Sequence, residues 1–152
     1  MKILQKKKIL PPTYFASAIF LIVIVNFIFP ITKFLFFPWK LAGLLLLAAG
    51  GILNLLADRD FKRFDTTVKP FEYSNKLVTS GVFKLSRNPM YLGMVLFLFG
   101  ESILFGSLSP FIISIIFMVL LHFIFIKPEE KILLEKFGEE YEVYRNKVRR
   151  WI

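Results

Sequence analysis

Four apolar runs organise the chain, at residues 13–29, 41–57, 89–105 and 110–126. Prolines punctuate them. Pro11 and Pro12 open the first and Pro30 closes it, Pro38 precedes the second, Pro89 starts the third and Pro110 the fourth. Each run is about 17 residues, roughly 25 Å of helix, near the lower limit for crossing a hydrocarbon core. The second is rich in small residues (Ala42, Gly43, Ala48, Ala49, Gly50, Gly51), which lets helices approach closely. Past the fourth run the period changes. Leu133, Phe137, Tyr141, Tyr144, Val148 and Trp151 recur at helical steps, predicting an amphipathic helix with an aromatic seam. Such a helix lies along the membrane surface or packs over the preceding loop. The fold class this predicts is an all-α polytopic membrane protein, with about four transmembrane helices and a C-terminal amphipathic helix. Residues 1–152 are expected to form one membrane-embedded domain.

Composition supports that picture. The chain is 56% hydrophobic with 19 phenylalanines, and its mean hydropathy is +0.62. Its net charge of +9 would suit a nucleic-acid partner only if the basic residues were clustered on a soluble surface, and they are not. They alternate between the apolar runs instead. Four lie in the N-terminal arm (Lys2, Lys6, Lys7, Lys8) and two in the first loop (Lys33, Lys40). The second loop has seven (Arg59, Lys62, Arg63, Lys69, Lys76, Lys84, Arg87), the third none, and the tail seven (Lys127, Lys131, Lys136, Arg145, Lys147, Arg149, Arg150). By the positive-inside rule both termini and the long second loop are cytoplasmic. No nucleic-acid partner is expected. There is no cysteine and one histidine, so disulfides, thiolate metal sites, a cysteine nucleophile and a histidine-rich metal site are all excluded. The basic start followed by an apolar run resembles a signal peptide. Its length and the lack of a small-residue cleavage site predict a retained first span. Compact size and the absence of sorting signals suit a prokaryotic cytoplasmic membrane.

Nearly all polar chemistry therefore falls on one side of the membrane, in the loop 58–88 and the tail 127–152. The outer connection at residues 106–109 is too short to separate the third and fourth spans. They must form a hairpin, which brings Arg87 and Asn88 close to residues 127–130.

Two polar constellations meet there. The first is Arg87-Asn88-Pro89-Met90-Tyr91. Asn88 suits an N-cap, Pro89 the first helical position, Arg87 and Tyr91 the interface. The same helix start, with free N–H groups and a neighbouring arginine, also attracts a carboxylate or phosphate. The second is Glu129-Glu130, just after Pro128. Acids in a first turn are favoured by the helix dipole. Two adjacent carboxylates can equally hold ribose hydroxyls or an ammonium group, and since they point at different angles, one of them can be structural. Within the spans, Asn26, Asn54, Glu101 and His122 are polar positions at membrane depth, which are functional candidates. Glu101 and His122 sit about 9 Å apart in depth on the hairpin, too far for a direct pair.

Taken together, Thr79-Ser80-Gly81-Val82-Phe83, Arg87 through Gly93, Glu129-Glu130 with Leu133, and Phe137-Gly138 with Tyr141 resemble the membrane methyltransferase superfamily. That superfamily contains the isoprenylcysteine carboxyl methyltransferases and the phospholipid methyltransferases. The resemblance covers about residues 76–148 and implies S-adenosyl-L-methionine as cofactor and S-adenosyl-L-homocysteine as product. It implies a cytoplasmic pocket made by residues 75–93 and 127–148. Carried over by position, the cofactor contacts are Asn75, Lys76, Leu77, Val78, Phe83, Asn88, Pro89, Met90, Tyr91 and Glu129. Arg87 and Glu130 join them by proximity. His122, Phe125 and Lys127 are candidates for the substrate side. Two positions differ from the family pattern. Asn88 replaces a histidine, and Phe83 a tyrosine. Asparagine still donates and accepts hydrogen bonds, but it is no base. Phe125 stands where the carboxyl-methylating branch has an arginine, which leaves carboxylate and amine acceptors both open. The expected partner is a membrane lipid or a prenylated, lipid-like molecule. No catalytic base is assigned, because the sulfonium is already an activated donor and the protein must chiefly align the reactants. The competing expectation is a non-catalytic scaffold or lipid-binding relative.

Overall fold

The computed structural model describes residues 10–63 and 76–152. Lys2, Lys6, Lys7, Lys8, Lys69 and Asn75 lie outside them. Among the described residues the fold is helical: α1 (Pro11–Ile28), α2 (Ala42–Arg63), α3 (Pro89–Phe105), α4 (Leu108–Leu121), α5 (Lys127–Phe137) and α6 (Glu139–Lys147). Short 3₁₀ turns at Trp39–Leu41 and Gly81–Lys84 precede α2 and α3. Three stretches are long and apolar enough to cross a membrane, Pro11–Ile28, Trp39–Arg63 and Leu108–Phe137, and α3 is a shorter apolar helix.

The apolar runs become helices at nearly the expected places. Pro11 and Pro89 sit in the first turns, where a missing N–H is harmless. α3 ends where Gly106 takes a left-handed conformation (φ 73°) and donates its N–H to the Ser102 carbonyl. Two expectations are refined. α2 continues past residue 57 to Arg63, because Asp58 through Arg63 extend the helix beyond its apolar part. The fourth span runs on into the tail without a break. A π-helical turn at His122–Ile126 joins α4 to α5, with Lys127 N–H bonded to the His122 carbonyl. This wider turn accommodates Pro128, which has no N–H to give and would crowd an ordinary α ladder.

α1, α3 and α4 share one core, built from Ala18 and Ile22, from Tyr91, Met94, Val95 and Leu98, and from Phe117, Leu121, Phe125 and Ile126. α2 packs on the other flank of α3. Gly43 and Gly50 face Gly100 and Gly93 so closely that a Cβ on Gly93 would lie 2.8 Å from the Gly50 carbonyl oxygen, and one on Gly100 2.7 Å from that of Gly43. Seven-residue spacing on both helices makes this an antiparallel backbone-to-backbone seam. At the end of the hairpin near Gly106, Phe34 N–H donates to Gly106 O, Leu108 N–H to Ile31 O and Ser107 Oγ to Asn26 Oδ1 (2.7 Å). Inside the hairpin the Ser102 and Ser114 hydroxyls bond to each other at 2.9 Å. Glu101 is buried beside them in sequence, with Oε2 unpartnered. No bond joins it to His122.

The tail packs over the loop. Its aromatic seam forms a second core of Tyr141 and Tyr144 with Val78 and Phe83, flanked by Leu133, Phe137 and Val148. Trp151, the last of the seam, packs on the first core instead. The amphipathic segment is two helices rather than one, because Gly138 (φ 50°) breaks it between α5 and α6. The Asp60 carboxylate accepts Val82 N–H (3.0 Å), and Phe61 meets Phe83 edge-on, so the far end of α2 holds the turn leading into α3.

Candidate functional site

The hairpin places the first turn of α3 beside the first turn of α5, and the two expected constellations meet. Tyr91 Oη donates to Glu129 Oε1 at 2.7 Å. No donor among the described residues reaches Glu129 Oε2. The Tyr91 ring packs against Phe125, which in turn meets Tyr14 of α1 edge-on (5.6 Å, 74°). An apolar wall from three helices thus backs a carboxylate.

Next to that pair lies a charged cluster. Arg87 contacts Glu130 Oε1 (3.2 Å) and donates to the Tyr141 hydroxyl (3.3 Å). Arg150 grips the same carboxylate with both edges of its fork, Nε to Oε1 at 2.9 Å and Nη2 to Oε2 at 2.7 Å. The Arg87 and Glu130 side chains are only 8% and 13% exposed, so water screens neither. Two cations share one anion, and Arg87 Nε is buried without an acceptor among the described residues. Burial holds the Tyr141 and Tyr144 hydroxyls above the ordinary tyrosine range. Both stay protonated, and Tyr144 donates to the Phe83 carbonyl at 2.7 Å.

Asn88 occupies the N-cap position of α3, but its side chain does not cap. Its Nδ2 donates to the Arg150 carbonyl (3.1 Å), which Ser86 Oγ also reaches (3.2 Å). Asn88 N–H is taken by Ser86 Oγ (3.1 Å), and Arg87 N–H donates to the Arg149 carbonyl. The expected capping role is therefore corrected: two tail carbonyls, near enough to compete, take donors at this helix start.

Of the residues expected to form the site, Arg87, Asn88, Tyr91, Glu129 and Glu130 come together. Pro89 is buried beneath them and Met90 is half-buried. Glu130 is the structural member of its pair, since both its oxygens are taken by arginines. Val78 and Phe83 are packed in the second core, Leu77 lies against it, and Lys76 is exposed. The Val78 and Phe83 side chains are both packed away, and the Phe83 N–H and carbonyl are bonded to Ser80 and Tyr144. Asn75 lies outside the described residues. Phe125 is 1% exposed and belongs to the first core. His122 is half-buried, edge-on to Phe123, within electrostatic reach of Arg150, Lys127 and Glu130. Lys127 is exposed, its ammonium 4.6 Å over the Phe123 ring. An open groove of about 400 Å³ between the 3₁₀ turn and α6 is lined by Thr79, Lys84, Tyr144 and Lys147 among others, and by none of the expected site residues. Among the described residues no group of three or more His, Asp or Glu could hold a metal ion. Ser86 and Tyr141 fall within the expected pocket segments without being named as contacts, and Arg150 lies outside them. Arg150 looked like one more topological charge in Arg149-Arg150, and nothing in its spacing ties it to Glu130.

Apolar helices of membrane-crossing character with buried charge collected at one end define an integral membrane protein. The chain belongs to the phospholipid methyltransferase family, which matches residues 39–140. It is 35% identical over 136 residues to the protein-S-isoprenylcysteine O-methyltransferase of Saccharomyces cerevisiae, covering 81% of this chain and 54% of that protein. It is 32% identical over 131 residues to a probable protein-S-isoprenylcysteine O-methyltransferase of Oryza sativa subsp. indica (78% of this chain, 66% of the relative). An uncharacterised protein of Haemophilus influenzae is 38% identical over 63 residues, all of its length and 41% of this chain. The chain thus spans about half the length of the yeast enzyme it matches.

Proposed function

We propose that the chain is an integral membrane methyltransferase that uses S-adenosyl-L-methionine, leaves S-adenosyl-L-homocysteine, and methylates a lipid-like acceptor. The observation that carries this is the pairing of buried Tyr91 with half-buried Glu129 beside Arg87, at the head of the α3–α4 hairpin and inside the family-matched region. The donors and acceptors present fit such a cofactor. Glu129 Oε2 accepts from ribose hydroxyls or an ammonium group. The buried Nε of Arg87 seeks an acceptor such as a carboxylate. Tyr91 and Phe125 offer an aromatic surface. When bound, S-adenosyl-L-methionine supplies an activated methyl group on a sulfonium.

The chain's own residues bind, orient and exclude water. Tyr91 fixes the Glu129 carboxylate by its hydroxyl. Glu130 and Tyr141 fix Arg87. The Tyr14, Tyr91 and Phe125 wall keeps one side of the site dry, where alignment and desolvation assist a displacement at carbon. No side chain is assigned as general base. The acceptor enters sideways from the bilayer, with the site and both termini on the cytoplasmic side, in keeping with the distribution of Lys and Arg. The relatives named as isoprenylcysteine methyltransferases and the family's phospholipid methyltransferases both favour a lipid-like acceptor, carboxylate or amine.

Calorimetry in detergent tests the reading. S-adenosyl-L-methionine and S-adenosyl-L-homocysteine should each bind with a stoichiometry of about one, as expected for a single site. Failure to bind either would return the chain to a scaffold or lipid-binding role.

A further inference from the structure

We propose that Arg150 is a positioning residue of the cofactor site, acting through Glu130 and through its own backbone rather than by touching the ligand. It lies beyond the residues that the family match covers. This role presupposes the methyltransferase reading above and deepens it.

Arg149 and Arg150 are both tied to the head of the hairpin. The Arg149 carbonyl takes Arg87 N–H, and the Arg150 carbonyl takes Ser86 Oγ and Asn88 Nδ2. The Arg150 guanidinium holds Glu130 by two short bonds, and Trp151 packs on the first core. The bonds of Arg149 and Arg150 all meet residues that precede α3 or lie in the first turn of α5, so the strap sets how the two site segments sit against each other.

The geometry assigns a direction to the effect. Glu130 is bound at 2.7 and 2.9 Å by Arg150, but Arg87 reaches it only at 3.2 Å. Charge-assisted, bidentate bonds are the stronger ones, so Arg150 rather than Arg87 commands this carboxylate. Arg87 is left underneutralised, and its Nε has no acceptor among the described residues. Without Arg150, Glu130 would be free to turn wholly onto Arg87. The cation would then be captured within the protein and lost to the ligand. Arg150 thereby keeps Arg87 available, and its carbonyl holds the Asn88 amide at 3.1 Å.

The test is a titration of S-adenosyl-L-homocysteine into detergent-solubilised wild type, R150A, R150K, E130Q and the R150A/E130Q double variant. Their thermal unfolding is recorded in parallel. R150A should bind about tenfold more weakly than wild type, the size of a coupling between groups in one network. R150K, which keeps the charge and loses the fork, should recover only part of that loss. The double variant should bind no more weakly than E130Q alone, because Arg150 acts through Glu130. In turnover, the R150A effect should fall on KM for S-adenosyl-L-methionine, with kcat changed less than about threefold. Wild-type affinity in a folded R150A, or additive losses in the double variant, would overturn the proposal. If R150A does not fold, R150K decides, and wild-type affinity there overturns it equally. If wild type itself binds no ligand, the methyltransferase reading fails and this role falls with it. A wild type that binds beside an unaffected R150A defeats this role alone.

Discussion

The two flanks of α3 are built on opposite principles. Against α2 it presents bare backbone, Gly93 and Gly100 on Gly50 and Gly43, with no charge in the seam. Against the α4–α5 helix it presents, at one end, a tyrosine on a carboxylate and an arginine sharing a second carboxylate with another arginine. The first flank gains stability from close packing that side chains would block. The second buries charges that hydrophobic residues of like size would replace at no loss of stability. Its lowest-cost explanation is chemistry. A membrane helix that is a spacer on one side and a site on the other can keep its register while its head residues change.

The largest break in that comparison should come from filling the seam. Gly93→Leu places a side chain into Gly50 O and the Asn54 amide. It should cost on the order of 4 kcal/mol or yield no folded protein, read as thermal unfolding in detergent. Intact thermal stability would mean the flanks do not differ as described. Glu129→Ala should do the reverse. Cofactor affinity should fall about a hundredfold, equivalent to about 2.7 kcal/mol, while the unfolding midpoint moves little. Arg87→Lys keeps the charge and loses the planar fork, and calorimetry should show about a tenfold loss. The smallest effect belongs to Ser114→Ala. Loss of the hydroxyl pair with Ser102 should cost about 0.6 kcal/mol of stability and leave affinity unchanged.

The seam and the site differ also in how far the sequence revealed them. α3 begins and ends at residues 89 and 105, as the apolar run and its opening proline predict. The glycines of α2 marked it as a helix for close packing, but their partners on α3 were invisible until the pairing was known. The meeting of Arg87 with Glu130 followed from loop length and topology. Four features did not follow. α2 carries on through charged residues because Asp60 and Phe61 are needed at the turn before α3. Pro128 looks like a boundary, yet a π turn carries the helix through it. Asn88 has the residue type of a cap, and a nearby carbonyl acceptor claimed its amide instead. Arg150 was illegible for the same reason as Asn88. Its partners are distant in sequence, and a basic pair near a membrane has a sufficient topological explanation without them.

Methyl transfer to a lipid at the Tyr91–Glu129 head of the hairpin is the activity proposed for this chain. Purified protein should be incubated with methyl-labelled S-adenosyl-L-methionine and a membrane lipid extract, beside Glu129→Ala, and the organic phase counted and its product identified. Label in a lipid product with wild type, and its loss with Glu129→Ala, is the predicted result. Absence of label with wild type, or equal label with the variant, would contradict it.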